Sequence, residues 1–128
     1  MEIGIRGTSE TVVDRSNVAS AVGSGLLDVF STPAMIALME KACKDSVEPY
    51  LEEGQGTVGI RLEVDHLAAV PIGEKVWAES ELTAIDGRVL TFSVTVRSEK
   101  EKVGEGIHKR CVISNSRFLE KLRAKYEV

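Results

Sequence analysis

The sequence contains few cysteines, few aromatic residues and no long hydrophobic run. Its 128 residues include two cysteines, Cys43 and Cys111, which are too few for a disulfide framework and do not form a CxxC pair. We interpret both thiols as small buried side chains and expect a cytoplasmic location. The longest apolar run, Ala34 to Met39, is too short to span a bilayer, and the first twenty residues lack a signal-peptide run. These absences exclude a disulfide-stapled scaffold and argue against membrane association.

Clustered basic residues and cofactor motifs are also missing. The formal net charge is -4, and Lys and Arg occur singly, so we expect no nucleic-acid partner. The two histidines, His66 and His108, lie 42 positions apart without clustered carboxylates, so we expect no metal site. A dinucleotide fingerprint, a P-loop and a GxSxG elbow are absent, and no cofactor is expected. An anionic small ligand remains compatible with the sequence, because a local pocket can be basic in an acidic protein.

One long helix is predicted in the first half of the chain. In "STPAMIALMEKAC", Thr32 occupies the position of an N-cap and Pro33 that of the first helical residue, where a missing N–H costs nothing. The helix is expected to continue to Glu48, because Pro49 disfavours helical geometry in its predecessor. Its first half is apolar on every side, which predicts a helix enclosed by the rest of the protein.

The second half of the chain is predicted to form antiparallel strands. In "TVGIRLEVDH" the apolar residues alternate with polar ones, and Asp86-Gly87 predicts a tight hairpin between two further strands. A last strand, "VGEGIHKRCVI", precedes a short helix, "RFLEKLRAKY", and an N-terminal strand is expected over residues 8–13. This order predicts one α+β domain over residues 1–128, with a curved sheet around the helix. A ferredoxin-like layer would need a second long helix between strands, for which "LTAIDGRVL" leaves no room.

Three polar residues interrupt apolar patterns and are candidates for chemistry. Glu40 lies on the helical stripe of Met39 and Cys43, where it is either a partly desolvated base or a solvated residue at the stripe's edge. His66 continues the inward phase of its strand and is either a base near neutral pH or a hydrogen-bonded core residue. The Thr32 hydroxyl could serve as a helix cap or act in catalysis.

A weaker pair of candidates lies on the last predicted strand. His108 and Arg110 alternate there and share a face with Gly106, which would leave room for a ligand beside them. Nothing in their spacing alone indicates which ligand they would contact.

Three segments together resemble the hot-dog fold thioesterases, and within them the fluoroacetyl-CoA-specific thioesterase family. They are "VFSTPAMIALMEKAC", "VEPYLEEGQGTVGIRLEVDHLAAVPIG" and "GEGIHKRCVI", and the similarity runs from about position 23 to about position 121. The resemblance implies a long central helix wrapped by a curved antiparallel sheet, in a protein that forms homodimers. It also implies a catalytic group and a set of residues near the substrate. The catalytic group is Thr32, Glu40 and His66, and the substrate-binding residues are Gly59, whose backbone lies close to the acyl group, with His108, Arg110 and Phe30.

The resemblance predicts an acyl-CoA thioesterase, in which coenzyme A is part of the substrate. The family's fluoroacetyl-CoA enzyme has lid-forming phenylalanines before the helix, whereas this segment has one aromatic residue, Phe30. We therefore expect another small acyl-CoA. The main alternative is a non-catalytic acyl-CoA-binding or sensing module. A hydratase fits less well, because its acid and histidine share one motif, whereas Glu40 and His66 lie 26 positions apart.

Overall fold

A five-stranded antiparallel sheet curls around one long helix in the computed structural model, which describes residues 1–128. This arrangement confirms the predicted architecture, including the short C-terminal helix. The elements in chain order are β1 (Arg6–Val12), α1 (Ala19–Val22), α2 (Thr32–Val47), a 3-10 turn (Glu48–Tyr50), β2 (Gln55–His66), β3 (Lys75–Asp86), β4 (Val89–Ser98), β5 (Lys102–Ser114) and α3 (Asn115–Tyr126).

The N-cap of α2 is Ser31 and not Thr32. The backbone of Ser31 is extended (φ -79, ψ 150), and its hydroxyl accepts a 3.1 Å hydrogen bond from the Ala34 N–H. Thr32 is therefore the first helical residue and Pro33 the second, where the absent N–H is still without an intrahelical partner. The assignment of Thr32 as the cap was wrong, because the preceding serine offers an equally suitable hydroxyl. As a consequence, the Thr32 side chain does not cap the helix.

The core lies between α2 and the concave face of the sheet. The first half of the helix is not enclosed on every side as predicted, because Pro33 and Ala37 are exposed. Its inner face is buried, and burial raises the pKa of the Cys43 thiol to about 12. This shift agrees with the interpretation of Cys43 as an inert buried side chain. The buried residues of α2 are Met35, Leu38, Met39, Ala42, Cys43 and Val47.

The strand order β1-β3-β4-β5-β2 leaves β1 and β2 as the two edges of the sheet. The predicted β3–β4 hairpin is present, but its two-residue turn is Gly87-Arg88, with Gly87 at φ 59, because Asp86 still pairs with Val89. The N-terminal strand begins two residues before the predicted start, and the short α1 lies between β1 and α2. No helix combines the length and the apolar character needed to cross a bilayer.

A β-bulge in β2 changes which side chains face the helix. Gly59 pairs with Arg110 and Leu62 with His108, so that Ile60 is the extra residue. Because cross-strand neighbours share a face, Gly59 faces the helix before the bulge and Leu62 faces it after the bulge. The predicted inward alternation from position 58 was therefore wrong in its first half, and Ile60 is 52% exposed.

Candidate active site

The Thr32 hydroxyl and the His66 imidazole are joined by a hydrogen bond. Thr32 Oγ1 lies 2.8 Å from His66 Nδ1. The segment before α2 is fixed to the turn after β2, because the Phe30 N–H donates to the Val70 carbonyl at 2.9 Å. This backbone contact places the first turn of α2 beside the end of β2. The pair has the separation that a hydroxyl and a base need for proton transfer.

The environment of His66 favours the neutral imidazole. Burial lowers the pKa of His66 below its ordinary value of 6.5, and the Ala68 backbone opposes this shift as the smaller contribution. The ring meets Phe30 edge-on, with 6.4 Å between the ring centroids. Its Nε2 atom is buried and has no hydrogen-bond partner. A neutral imidazole near physiological pH can accept a proton from the hydroxyl beside it.

A cleft of about 330 Å³ opens beside this pair. Its walls are mostly apolar and include Phe30, Leu67 and Ala68 together with Thr32 and His66. A larger groove of about 690 Å³ runs between β1 and the end of α2, past Trp77. That groove contains none of the candidate residues from the sequence. We therefore assign the candidate site to the smaller cleft, because Thr32 and His66 line it.

Glu40 belongs to a second cluster, around Gly59. Its carboxylate Oε2 lies 3.5 Å from Nη1 of Arg110, and 38% of the Glu40 side chain is exposed. A Cβ atom added to Gly59 would stand only 2.8 Å from the same Oε2. Glu40 is therefore neither fully solvated nor enclosed, and only a glycine allows the β2 backbone to approach its carboxylate so closely.

His108 and Arg110 form a buried network behind Gly59. The Arg110 Nε donates to Thr57 Oγ1 at 2.8 Å, and its Nη2 donates to the Thr57 carbonyl at 3.0 Å. The His108 Nδ1 lies 2.8 Å from the Arg61 carbonyl, and its Nε2 lies 3.0 Å from the Arg110 Nη1. Burial lowers the pKa of His108, which favours its neutral form. Both side chains are buried in the protomer, although the sequence placed them on the ligand side.

Sequence reasoning did not identify Thr57 or Ser31 as parts of the site. Thr57 holds Arg110, yet the alternation of β2 placed it on the outer face until the bulge was known. Gly59 was the available signal, because a glycine inside a strand often marks a bulge or a close backbone approach. The described chain contains no group of three or more His, Cys, Asp or Glu side chains arranged to hold a metal ion.

The two clusters are separate within one protomer. His66 follows Gly59 by seven positions in β2, which correspond to roughly 20 Å of strand. Glu40 follows Thr32 by eight positions in α2, or about 12 Å of helix. Glu40 therefore makes no hydrogen bond to Thr32 or His66, and the two clusters lie apart within the chain.

Comparisons with known proteins agree with the fold and identify the family. The model of the fluoroacetyl-CoA-specific thioesterase family matches residues 13–116. The fluoroacetyl-CoA thioesterase of Streptantibioticus cattleyicolor is 40% identical over 98 residues, which cover 77% of this chain and 70% of that protein.

Two solved structures extend the comparison. A variant of the fluoroacetyl-CoA-specific thioesterase, in complex with fluoroacetate and CoA, superposes with a TM-score of 0.87 at 34% identity, over 92% of this chain and 99% of its own. A hot-dog-like protein from Thermanaerovibrio acidaminovorans matches in fold, with a TM-score of 0.90 at 22% identity over 98% and 93% of the two chains. The chain described here is a hot-dog protein and belongs to the fluoroacetyl-CoA-specific thioesterase family of thioester hydrolases.

Proposed function

We propose that the protein hydrolyses a small acyl-CoA thioester and that Thr32, Glu40 and His66 are its catalytic residues. The observation that carries this proposal is the hydrogen bond between Thr32 and His66. Because Ser31 caps α2, the Thr32 hydroxyl is free to act on a substrate while a neutral imidazole lies beside it. The complex of the related thioesterase with fluoroacetate and CoA supports a CoA ester as the substrate.

We further propose that two copies of the chain complete the site as a homodimer. The edge strand β2 carries the exposed apolar side chain of Ile60, and such an edge is a template for pairing with another strand. A two-fold axis at Glu63 would pair two β2 strands antiparallel, with Ile60 remaining the extra residue of each strand. His66 would then lie opposite the partner subunit's Gly59, and both residues would point to the helix side of the sheet. This register brings the Thr32–His66 pair next to the partner subunit's Glu40.

The composite site contains the groups that thioester hydrolysis needs. Glu40 delivers the attacking oxygen, either by activating water or by attacking the carbonyl to give a mixed anhydride that water then cleaves. The proton released by water passes to the departing thiolate, and neutral His66 holds the Thr32 hydroxyl in place for this transfer. The start of α2 contributes its positive end to the developing oxyanion. In single-turnover hydrolysis in ¹⁸O-labelled water, label in the Glu40 carboxylate would establish an anhydride that water cleaves at the Glu40 carbonyl carbon, because direct attack of water on the thioester labels only the product acid.

A thiol-release assay across acyl-CoAs from acetyl to long-chain tests the activity. It is best run on a Cys111→Ser background, because Cys111 is partly exposed and contributes its own thiol. We expect the highest kcat/KM for small acyl groups, since the cleft beside Thr32 is only about 330 Å³. Glu40→Gln and His66→Ala should each lower kcat by about 10²-fold or more. Calorimetric binding of acyl-CoA without thiol release would instead favour the binding module.

A further inference from the structure

Two side chains of β5 span the bulge in β2. Arg110 holds the strand before the bulge through both the hydroxyl and the carbonyl of Thr57. His108 reaches the strand after the bulge at the Arg61 carbonyl. A hydrogen bond between the two side chains joins these anchors on either side of Gly59. We call this chain of contacts, formed by Thr57, Arg110, His108 and Arg61, the bulge clamp.

The contacts of the clamp determine the tautomer of His108. Arg110 has only donors, so the His108 Nε2 atom, 3.0 Å from Nη1, must accept. The proton of the neutral ring is then on Nδ1, which donates to the Arg61 carbonyl at 2.8 Å. No other assignment satisfies both contacts. The imidazole thus accepts a hydrogen bond from Arg110 at Nε2 and donates one from Nδ1 to the backbone on the far side of the bulge.

The His108 ring is also held tightly by its neighbours. It stacks on Phe92 with 6.3 Å between the centroids and an interplanar angle of 26°. A Cβ atom added to Gly59 would lie 3.1 Å from the His108 Cε1. The ring cannot move without moving either the backbone of Gly59 or the guanidinium that contacts Glu40.

We propose that His108 is a positioning residue for hydrolysis, which fixes the Gly59 backbone and the Arg110–Glu40 contact in one geometry through the bulge clamp. Its effect on catalysis rests on the proposed function, in which Glu40 and Gly59 form one half of the site. Small displacements matter there, because a misplacement of about 1 Å can lower a rate by about 10²-fold. His108 itself contacts no substrate, since it is fully buried.

Three substitutions separate the two bonds of His108. His108→Gln can still accept from Arg110, His108→Asn can still donate to the Arg61 carbonyl, and His108→Leu can do neither. We expect His108→Leu to lower kcat by about 10-fold or more with KM changed by less than about 3-fold, because positioning acts on the chemical step. Gln and Asn should give values between those of the wild type and Leu. Wild-type kcat in His108→Leu, or a loss confined to KM, would overturn the proposal.

Amide hydrogen exchange tests the clamp independently of hydrolysis. Exchange at residues 57–61 should be faster in His108→Leu than in the wild type, with His108→Gln and His108→Asn intermediate. Ser80→Ala is the matched control, because it removes a buried polar group outside the clamp and should leave this segment unchanged. Unchanged exchange at residues 57–61 in all three His108 variants would refute the clamp. If the wild type releases no thiol, the proposed function fails while this exchange result still decides the role of His108 in the bulge.

Discussion

Thr32 Oγ1 and His66 Nδ1 lie 2.8 Å apart, although 34 positions separate the two residues in the sequence. The neighbouring Ser31 supplies the helix cap, so two adjacent hydroxyls have different partners. The Ser31 hydroxyl stabilises the start of α2, and the Thr32 hydroxyl is part of the candidate site. This division can be tested by substituting each residue alone.

Ser31→Ala should affect mainly stability, and Thr32→Val should affect mainly turnover. Ser31→Ala removes the cap and should lower the free energy of unfolding by about 1 kcal/mol while kcat stays close to wild type. Thr32→Val keeps the shape of the side chain without its hydroxyl, and should lower kcat by about 10²-fold with little loss of stability. Urea unfolding and a thiol-release assay on both variants check this. A large stability loss in Thr32→Val with normal turnover would return Thr32 to the role of a cap.

The Arg110–Glu40 contact predicts unequal stability effects for its two partners. Arg110→Lys cannot reproduce the fork that holds Thr57 and His108, and should lower the free energy of unfolding by about 2–4 kcal/mol. Glu40→Gln should cost about 1 kcal/mol or less, because its side chain is 38% exposed and water screens the lost charge. Urea unfolding of both variants measures the difference. Equal losses would show that the ion pair, rather than the bulge clamp, dominates the stability of this region.

The two histidines predict a loss of stability in acid. The pKa values of His66 and His108 both lie below 6.5 in the folded protein, so the unfolded chain binds more protons as the pH falls. The two histidines contribute to the free energy of unfolding above about pH 6.5, and this contribution is lost as the pH falls toward their pKa values in the folded protein. Urea unfolding from neutral to mildly acidic pH should show this decline, and His108→Asn should reduce it. Stability that rises on acidification through this window would contradict both shifts.

Activity should depend on pH in the same direction. Hydrolysis needs neutral His66, so kcat/KM should fall in acid with an apparent pKa below 6.5. The pH profile of thiol release with a small acyl-CoA measures this value. An acid limb with its midpoint above 6.5 would mean that a charged group, rather than burial, controls His66.

The local patterns of this sequence predicted the elements well and their exact contacts less well. Pro33, the apolar run after it and Asp86-Gly87 were sufficient for the long helix and the hairpin, because each depends on neighbours in the chain. The bulge at Ile60 depends on how β2 meets β5, and within β2 only Gly59 indicates it. The bulge places Thr57 on the opposite face of the strand from the one its alternation predicts, and it brings Gly59 next to Glu40 and His108. The Thr32–His66 bond depends on the packing of two loops and could be suggested only by resemblance.

The proposed dimer interface predicts that one edge of the sheet is sensitive to charge. Ile60→Glu places a carboxylate in the two-fold β2 pairing, and should give a monomer with strongly reduced kcat/KM. Ile85→Glu is the matched control, because Ile85 is exposed on β3 away from that edge and should leave mass and activity unchanged. Sedimentation equilibrium and the thiol-release assay report the two properties together. A fully active monomeric Ile60→Glu would contradict the composite site.

Complementation between two inactive variants tests the central claim most directly. Glu40→Gln and His66→Ala are unfolded together and refolded as a mixture, so that random pairing gives heterodimers with one complete Thr32–His66 and Glu40 site. The composite site predicts recovery of up to about a quarter of wild-type turnover, since about half of the dimers carry one intact site of two. If each protomer holds its own catalytic group, no dimer contains an intact site, and the mixture will be as inactive as the separate variants.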